Sequence, residues 1–193
     1  MIDNKHGQII AGWLKGCKHV ASPNCAPRPV DGPVELVVLH NISLPPGEFG
    51  GPHIEELFTN RLDPQAHPYF AEIAELTVSA HFLIRRNGEV TQFVATTDNA
   101  WHAGLSRWRG REKCNDFSIG IELEGTDTHV YTDAQYSALS EVIRACREAH
   151  PKIEPRAIVG HSDIAPGRKT DPGASFDWHR LGHLLGVEEL PGV

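Results

Sequence analysis

The sequence has no apolar run approaching the roughly 18–20 residues that a membrane-spanning helix needs, so no such span is expected. It is short of positive charge, with 18 Lys and Arg against 25 Asp and Glu and a formal net charge of −7. Nucleic-acid binders draw most of their affinity from Lys and Arg on phosphates. That class of partner is therefore not expected, although an acidic total still permits a local basic pocket. Cysteine is sparse: Cys17, Cys25, Cys114 and Cys146 form neither a CxxC pair nor a dense framework, and free thiols are expected. The opening "MIDNKHGQIIAGWLKGCKHV" lacks the continuous apolar core and small-residue cleavage site of a secretory signal. A cytoplasmic protein is the expectation. Internal repeats and low-complexity tracts are missing too, which leaves one domain of 193 residues with an apolar fraction of 40%. What the chain has in plenty is histidine, twelve in all.

Four prolines in "ASPNCAPRPVDGP", residues 21–33, disfavour helix and central strand alike. With the residues before it, this stretch reads as an extended, loosely structured N-terminal arm over 1–33. "VELVVLH", 34–40, is a short β-branched run of the kind that forms a buried strand. A long Pro/Gly-rich insertion over 41–77 follows, with short helices expected near 53–59 and 66–74. Loops of this length in compact domains are usually functional or disordered. "VSAHFLIRRNGEVTQFVA", 78–95, predicts a β-hairpin turning at Asn87-Gly88. In "FSIGIELEG", 117–125, Ile119, Ile121 and Leu123 alternate with Gly120, Glu122 and Glu124, the pattern of a strand. "YTDAQYSALSEVIRACREAHP" predicts a helix, with Thr132 and Gln135 at capping-box spacing, an apolar face of Leu139, Val142, Ile143 and Cys146, and Pro151 past its end. "RAIVGH", 156–161, reads as a strand, and Asp177 caps a last helix to about Leu185. The fold class is α/β (α+β mixed): a central mixed β-sheet flanked by helices.

His40 and His161 each close a predicted strand, and strand ends on one rim are where α/β sheets assemble sites. Asp171 lies on a Gly/Pro-rich loop able to fold back on His161. Two histidines and one carboxylate form a catalytic zinc set that leaves the fourth position open. The three are far apart in sequence, so spacing alone is weak support, and any one strand-end histidine is more often an ordinary surface or core residue. Glu122 and Glu124 share a side of their strand. They form either a solvent-facing polar face or a carboxylate poised to take a proton from a metal-bound water. Lys169 is either a solvated loop lysine or a donor to a developing oxyanion. In "NAWHAG", 99–104, Trp101 is either a platform for a sugar or peptide or a core residue.

The stretches "VVLHNISLPPGEFGG", "LDPQAHPYFAEIAEL", "VSAHFLIRRNGE", "AWHAG", "CNDFSIGIELEGTD" and "GHSDIAPGRKTDPG" occur in the order found in one family. Over roughly residues 30–180 the chain resembles the AmpD-type N-acetylmuramoyl-L-alanine amidases, cytoplasmic enzymes that cleave anhydromuropeptides in bacterial cell-wall recycling. The insertion beginning "NISLPPGEFGG" marks that subfamily within the wider amidases. The resemblance implies zinc held by His40, His161 and Asp171, with a water as fourth ligand. It implies Glu122 as general base and Lys169 as the group that stabilises the tetrahedral intermediate. Asn41, Trp101 and Lys113 fall on its substrate side. The bond cut would join the lactyl group of the muramic sugar to L-alanine, in a monomer whose partner is the anhydromuropeptide. Against the family pattern, Thr77 and Lys113 stand where arginines are common. Lys113 keeps the charge without bidentate geometry and Thr77 keeps neither, so peptide anchoring would differ. The competing readings are a periplasmic amidase and a non-catalytic peptidoglycan-binding module on the same scaffold.

Overall fold

Short aliphatic and β-branched runs become six strands of one sheet: β1 (Lys18–His19), β2 (Leu36–Ile42), β3 (Phe82–Ile84), β4 (Val90–Gln92), β5 (Ser118–Glu124) and β6 (Ile158–Gly160). They lie in the order β6-β2-β5-β3-β4-β1 in this computed structural model, which describes residues 7–29, 32–187 and 190. β6, β2, β5 and β3 run parallel, β3 and β4 form the antiparallel hairpin, and β1 joins β4 in parallel. The sheet is mixed, as the sequence predicts. The near-continuous apolar run of β2 follows from its position, since a parallel strand covered on both faces has little use for alternation.

Five helices pack on the sheet: α1 (His53–Phe58), α2 (Pro68–Ile73), α3 (Asp133–Ala149), α4 (His161–Ile164) and α5 (Trp178–Leu185). α3 begins at a reciprocal capping box between Thr132 and Gln135 and stops before Pro151. Its Leu139, Val142, Ile143 and Cys146 meet Val37 and Leu39 of β2 and Ile119, Ile121 and Leu123 of β5. On the opposite face Leu36 and Val38 pack against Ala103, Phe117 and Ile164. Because side chains alternate along a strand, His40 shares this second face with Leu36 and Val38, and Glu122 shares it with Ser118 and Gly120. Asp177 accepts from the Arg180 amide to cap α5, as expected. All four cysteines are free.

Two segments, the N-terminal arm and the hairpin loop, differ from expectation in detail, and the insertion carries its two short helices close to where they are expected. The described part of the N-terminal arm is stitched to the body rather than loose. Ile9–Ile10 pairs with Trp13–Leu14, Lys18–His19 extends the sheet as β1, and Cys25–Pro27 pairs with Asp98–Ala100. Its prolines allow these pairings because each is short and lies at an edge. The half-buried Arg28 guanidinium adds bonds to the carbonyls of Thr96, Asn115 and Ser118. The insertion 41–77 carries α1 and α2, whose Ile54, Leu57, Phe58 and Phe70 pack on Leu83 and Phe93. The hairpin loop holds three residues, 86–88, instead of two. Gly88 alone takes positive φ there (+85°), while the Asn87 side chain accepts from the Glu89 amide. Most of the tail 187–193 lies outside the described residues.

Candidate metal centre and active cleft

The parallel strands β2, β5 and β6 bring their carboxyl ends to one rim. In β2, His40 stands in register with Glu122 of β5, and Gly160 of β6 pairs with Leu39. The next residue, His161, leaves the strand as the first residue of α4. Asp171 returns to it because the Ser162 amide bonds the Asp171 carbonyl at 3.1 Å. That return needs glycine at 160, where a Cβ would stand 2.8 Å from Pro172 Cδ.

His40 Nδ1, His161 Nδ1 and Asp171 Oδ2 form a triangle with sides of 2.9, 2.9 and 3.0 Å. Proton bookkeeping decides what the triangle can hold. The Ala103 carbonyl, 3.1 Å from His161 Nε2, only accepts, so the neutral ring carries its proton on Nε2 and leaves Nδ1 bare. A bare nitrogen then faces the Asp171 carboxylate at 3.0 Å. A single proton on His40 Nδ1 would serve one contact and leave another unmet. Burial, chiefly, drives the His40 imidazole down to about 4, so an imidazolium is a poor source of the missing charge. For Asp171, burial works to raise the carboxyl, and the His161 and His40 rings beside it outweigh burial and hold the group well below the usual carboxylate range. Two imidazole nitrogens and one carboxylate oxygen within mutual reach are what a divalent cation binds, and the N,N,O set with an open side suits zinc.

The triangle lies in a cleft of ≈ 730 Å³ that Glu122, Asn41, Trp101, Arg168 and Lys169 also line. Glu122 is half-buried, and its Oε2 is buried without a hydrogen-bond partner among the described residues. Burial first, then the Asp171 charge, push its carboxyl well above the ordinary range, and Lys169 opposes them. Asn41 donates to Asp127 Oδ1 at 2.7 Å, which leaves its own oxygen for another donor. Trp101 is half-buried at the cleft wall and Lys169 is exposed at its mouth. Lys113 is exposed at the head of a 3₁₀ turn with φ of +59° and lies outside the cleft lining, as does the exposed Thr77. Arg85 pairs with Glu124 and lies outside the cleft lining.

Three further residues act on the triangle and its cleft. Asp127 holds Asn41. Arg168 donates to the carbonyls of Ala103 and Leu105 at 2.8 and 2.6 Å, tying the Asp171 loop to residues 103–105. His102 Nδ1 stands 2.9 Å from His40 Nε2. The signal for His102 was Gly120: a glycine inside a strand often marks a close approach, and here it is the seat of that ring.

Residues 30–174 match the family described as N-acetylmuramoyl-L-alanine amidase. The 1,6-anhydro-N-acetylmuramyl-L-alanine amidase AmpD of Escherichia coli (strain K12) is 60% identical over 177 residues, 92% of this chain and 96% of that protein. The crystal structure of a selenomethionine AmpD derivative superposes with a TM-score of 0.89 at 58% identity, covering 92% of this chain and 98% of the other. The amidase AmiD of E. coli, solved in complex with the substrate anhydro-N-acetylmuramic acid-L-Ala-D-γ-Glu-L-Lys, matches at a TM-score of 0.59 and 26% identity, over 95% of this chain and 66% of its own. The resemblance read from the motifs holds across sequence and fold, and the chain belongs to the N-acetylmuramoyl-L-alanine amidase family.

Proposed function

We propose that the chain is a zinc-dependent amidase that hydrolyses the bond between the lactyl group of 1,6-anhydro-N-acetylmuramic acid and the L-alanine of a muropeptide. It would act as a monomer in the cytoplasm during cell-wall recycling. The observation that carries this reading is the His40–His161–Asp171 triangle beside the buried, unpartnered oxygen of Glu122. The AmpD relatives, at 53–60% identity over most of their length, support the substrate class, and the described residues hold no helix long and apolar enough to cross a membrane.

His40 Nδ1, His161 Nδ1 and Asp171 Oδ2 would hold the zinc, which when bound polarises a carbonyl and brings the pKa of a water toward about 7. Glu122, on the strand beside His40, takes the proton of the attacking water on its carboxylate and passes it to the leaving amine. An amine leaves an amide only once protonated, so this second transfer matters as much as the first. Lys169 at the cleft mouth offers its ammonium to the negative charge that develops on the former carbonyl oxygen. The Asn41 oxygen, left free by its bond to Asp127, accepts from a substrate N–H. Trp101 presents a flat face to the sugar or the peptide.

Metal analysis joined to mass spectrometry of the products from anhydro- and non-anhydro-muropeptides tests the reading. Stoichiometric zinc with release of intact peptide from the anhydro form is the expected result. Equal or preferred cleavage of non-anhydro substrate would point to a wall amidase, and binding without cleavage to a recognition module.

A further inference from the structure

Residues 101–105 supply an outer partner to each of the two histidines of the triangle, from consecutive positions. The Ala103 carbonyl fixes the Nε2 proton of His161, and Arg168 donates to the same carbonyl. The side chain of His102 faces His40: the rings meet edge to face with centroids 5.0 Å apart and His102 Nδ1 2.9 Å from His40 Nε2. On its far side, His102 Nε2 stands 3.2 Å from Ser118 Oγ, which is fully buried.

His40 differs from His161 in one respect. No carbonyl dictates its tautomer; its outer partner is another imidazole, able to accept or donate. His40 presents a bare Nδ1 to a cation only when its proton sits on Nε2, and this requires an acceptor at His102 Nδ1. The seat of that acceptor is built into the sheet. A Cβ at position 120 would stand 2.4 Å from His102 Cγ and 2.6 Å from its Nδ1, so only glycine lets the ring lie against β5. Asn115 Oδ1 pins the backbone beneath it by accepting from the amides of His102 and Ala103 at 3.2 and 2.8 Å.

We infer that His102 is a positioning residue, which accepts the Nε2 proton of His40 and so holds that ring in the one tautomer that directs a bare Nδ1 at a metal ion. Outer partners of this kind set ligand orientation and basicity, and their loss typically weakens metal binding by about 10–100-fold. The inference rests on the zinc reading above and deepens it.

The test measures the Zn²⁺ dissociation constant of the whole chain by competition with a chromophoric chelator, for wild type, His102→Phe, His102→Asn and Gly120→Ala. Phenylalanine keeps a ring but removes the acceptor, whereas asparagine puts Oδ1 where Nδ1 stood. Far-UV circular dichroism of the metal-free proteins verifies folding. The expected result is a constant raised about 10–100-fold in H102F, raised also in G120A, and largely restored in H102N. In the zinc-loaded wild type, a ¹⁵N–¹H correlation should place the His40 proton on Nε2. The inference is overturned if H102F binds zinc as tightly as wild type, or if H102N loses as much as H102F, since packing alone would then account for the effect. Where H102F does not fold, G120A decides on the same terms: unchanged affinity overturns the inference. A wild type that holds no zinc would instead overturn the zinc reading itself.

Discussion

Replacing Glu124 with alanine should destabilise the protein severely while sparing the candidate metal centre. Glu124 lies in β5 two residues beyond Glu122, with only 2% of its side chain exposed against 12% for Arg85. Its Oε1 accepts from Arg85 Nη1 at 2.8 Å and from the Gly50 amide at 2.7 Å, and its Oε2 accepts from the Arg86 amide at 3.1 Å. One carboxylate thus ties the insertion 41–77 to the start of the hairpin turn. Truncation leaves two amides without their acceptor and the largely buried Arg85 guanidinium with only the longer Glu55 contact at 3.7 Å. Breaking a buried pair from one side costs about 3–5 kcal/mol. In a chain of this size each kcal/mol shifts Tm by about 2–4 °C, so the expected fall is roughly 6–20 °C. Glu124→Gln, which keeps an acceptor for the amides but loses the charge, should fall between. Urea titration and calorimetry with chelator present in every sample provide the measurement, since bound metal would otherwise mask part of the loss. Glu124 does not line the cleft, so the folded E124A protein should keep its zinc stoichiometry. A loss below about 1 kcal/mol, the size of a surface ion pair, would refute the reasoning.

Three further outcomes are expected. His161→Ala should lose zinc and activity together, because two protein ligands remain; stoichiometric zinc by atomic emission would contradict the ligand assignment. Glu122→Gln and Lys169→Ala should both retain zinc, with turnover lowered about 10²–10⁴-fold for the proton-transfer residue and about 10²–10³-fold for the oxyanion donor; near-wild-type hydrolysis by either removes its role. His81 is fully buried, and burial first, then the Arg28 charge, lower it to about 3 from 6.5. It is neutral when folded and takes up a proton on unfolding, so its contribution is complete above pH 6.5 and lost as pH falls from there toward 3, at about 1.4 kcal/mol per unit. His102 and His150 also face this region, so the comparison is of slopes: stability against pH in His81→Asn should be flatter than in wild type across that window. Parallel slopes would show that His81 is not the group responsible.

The parts of this molecule legible in its sequence are those governed by local chemistry. "VVLH" spells a buried strand, Thr132 and Gln135 spell a helix start, and both appear where expected. The loop carrying Asp171 was legible because Gly160 and the prolines around Asp171 permit a sharp return. Glu124 was not legible. Alternation shows that it points away from α3, but whether that side meets water or the Gly50 loop depends on a segment more than seventy residues earlier. The hairpin turn differs by one residue because Asn87 spends its side chain on the Glu89 amide instead of taking the left-handed backbone that a two-residue loop would require. His102 sat in a stretch noted for its tryptophan, and its bond to His40 spans 62 residues of chain. Long-range polar pairings of this kind leave no periodic trace.

The register of β2 with β5 has a consequence for how the enzyme tolerates change. Neighbouring strands are about 4.8 Å apart whatever side chains they carry, so the peptide ladder acts as a ruler that spaces Glu122 from His40. A slip of one residue would turn either side chain to the α3 face. The spacing of the proposed base and ligand is thereby insulated from the outer loops, which are free to lengthen, shorten or change composition while Glu122 and His40 keep their places.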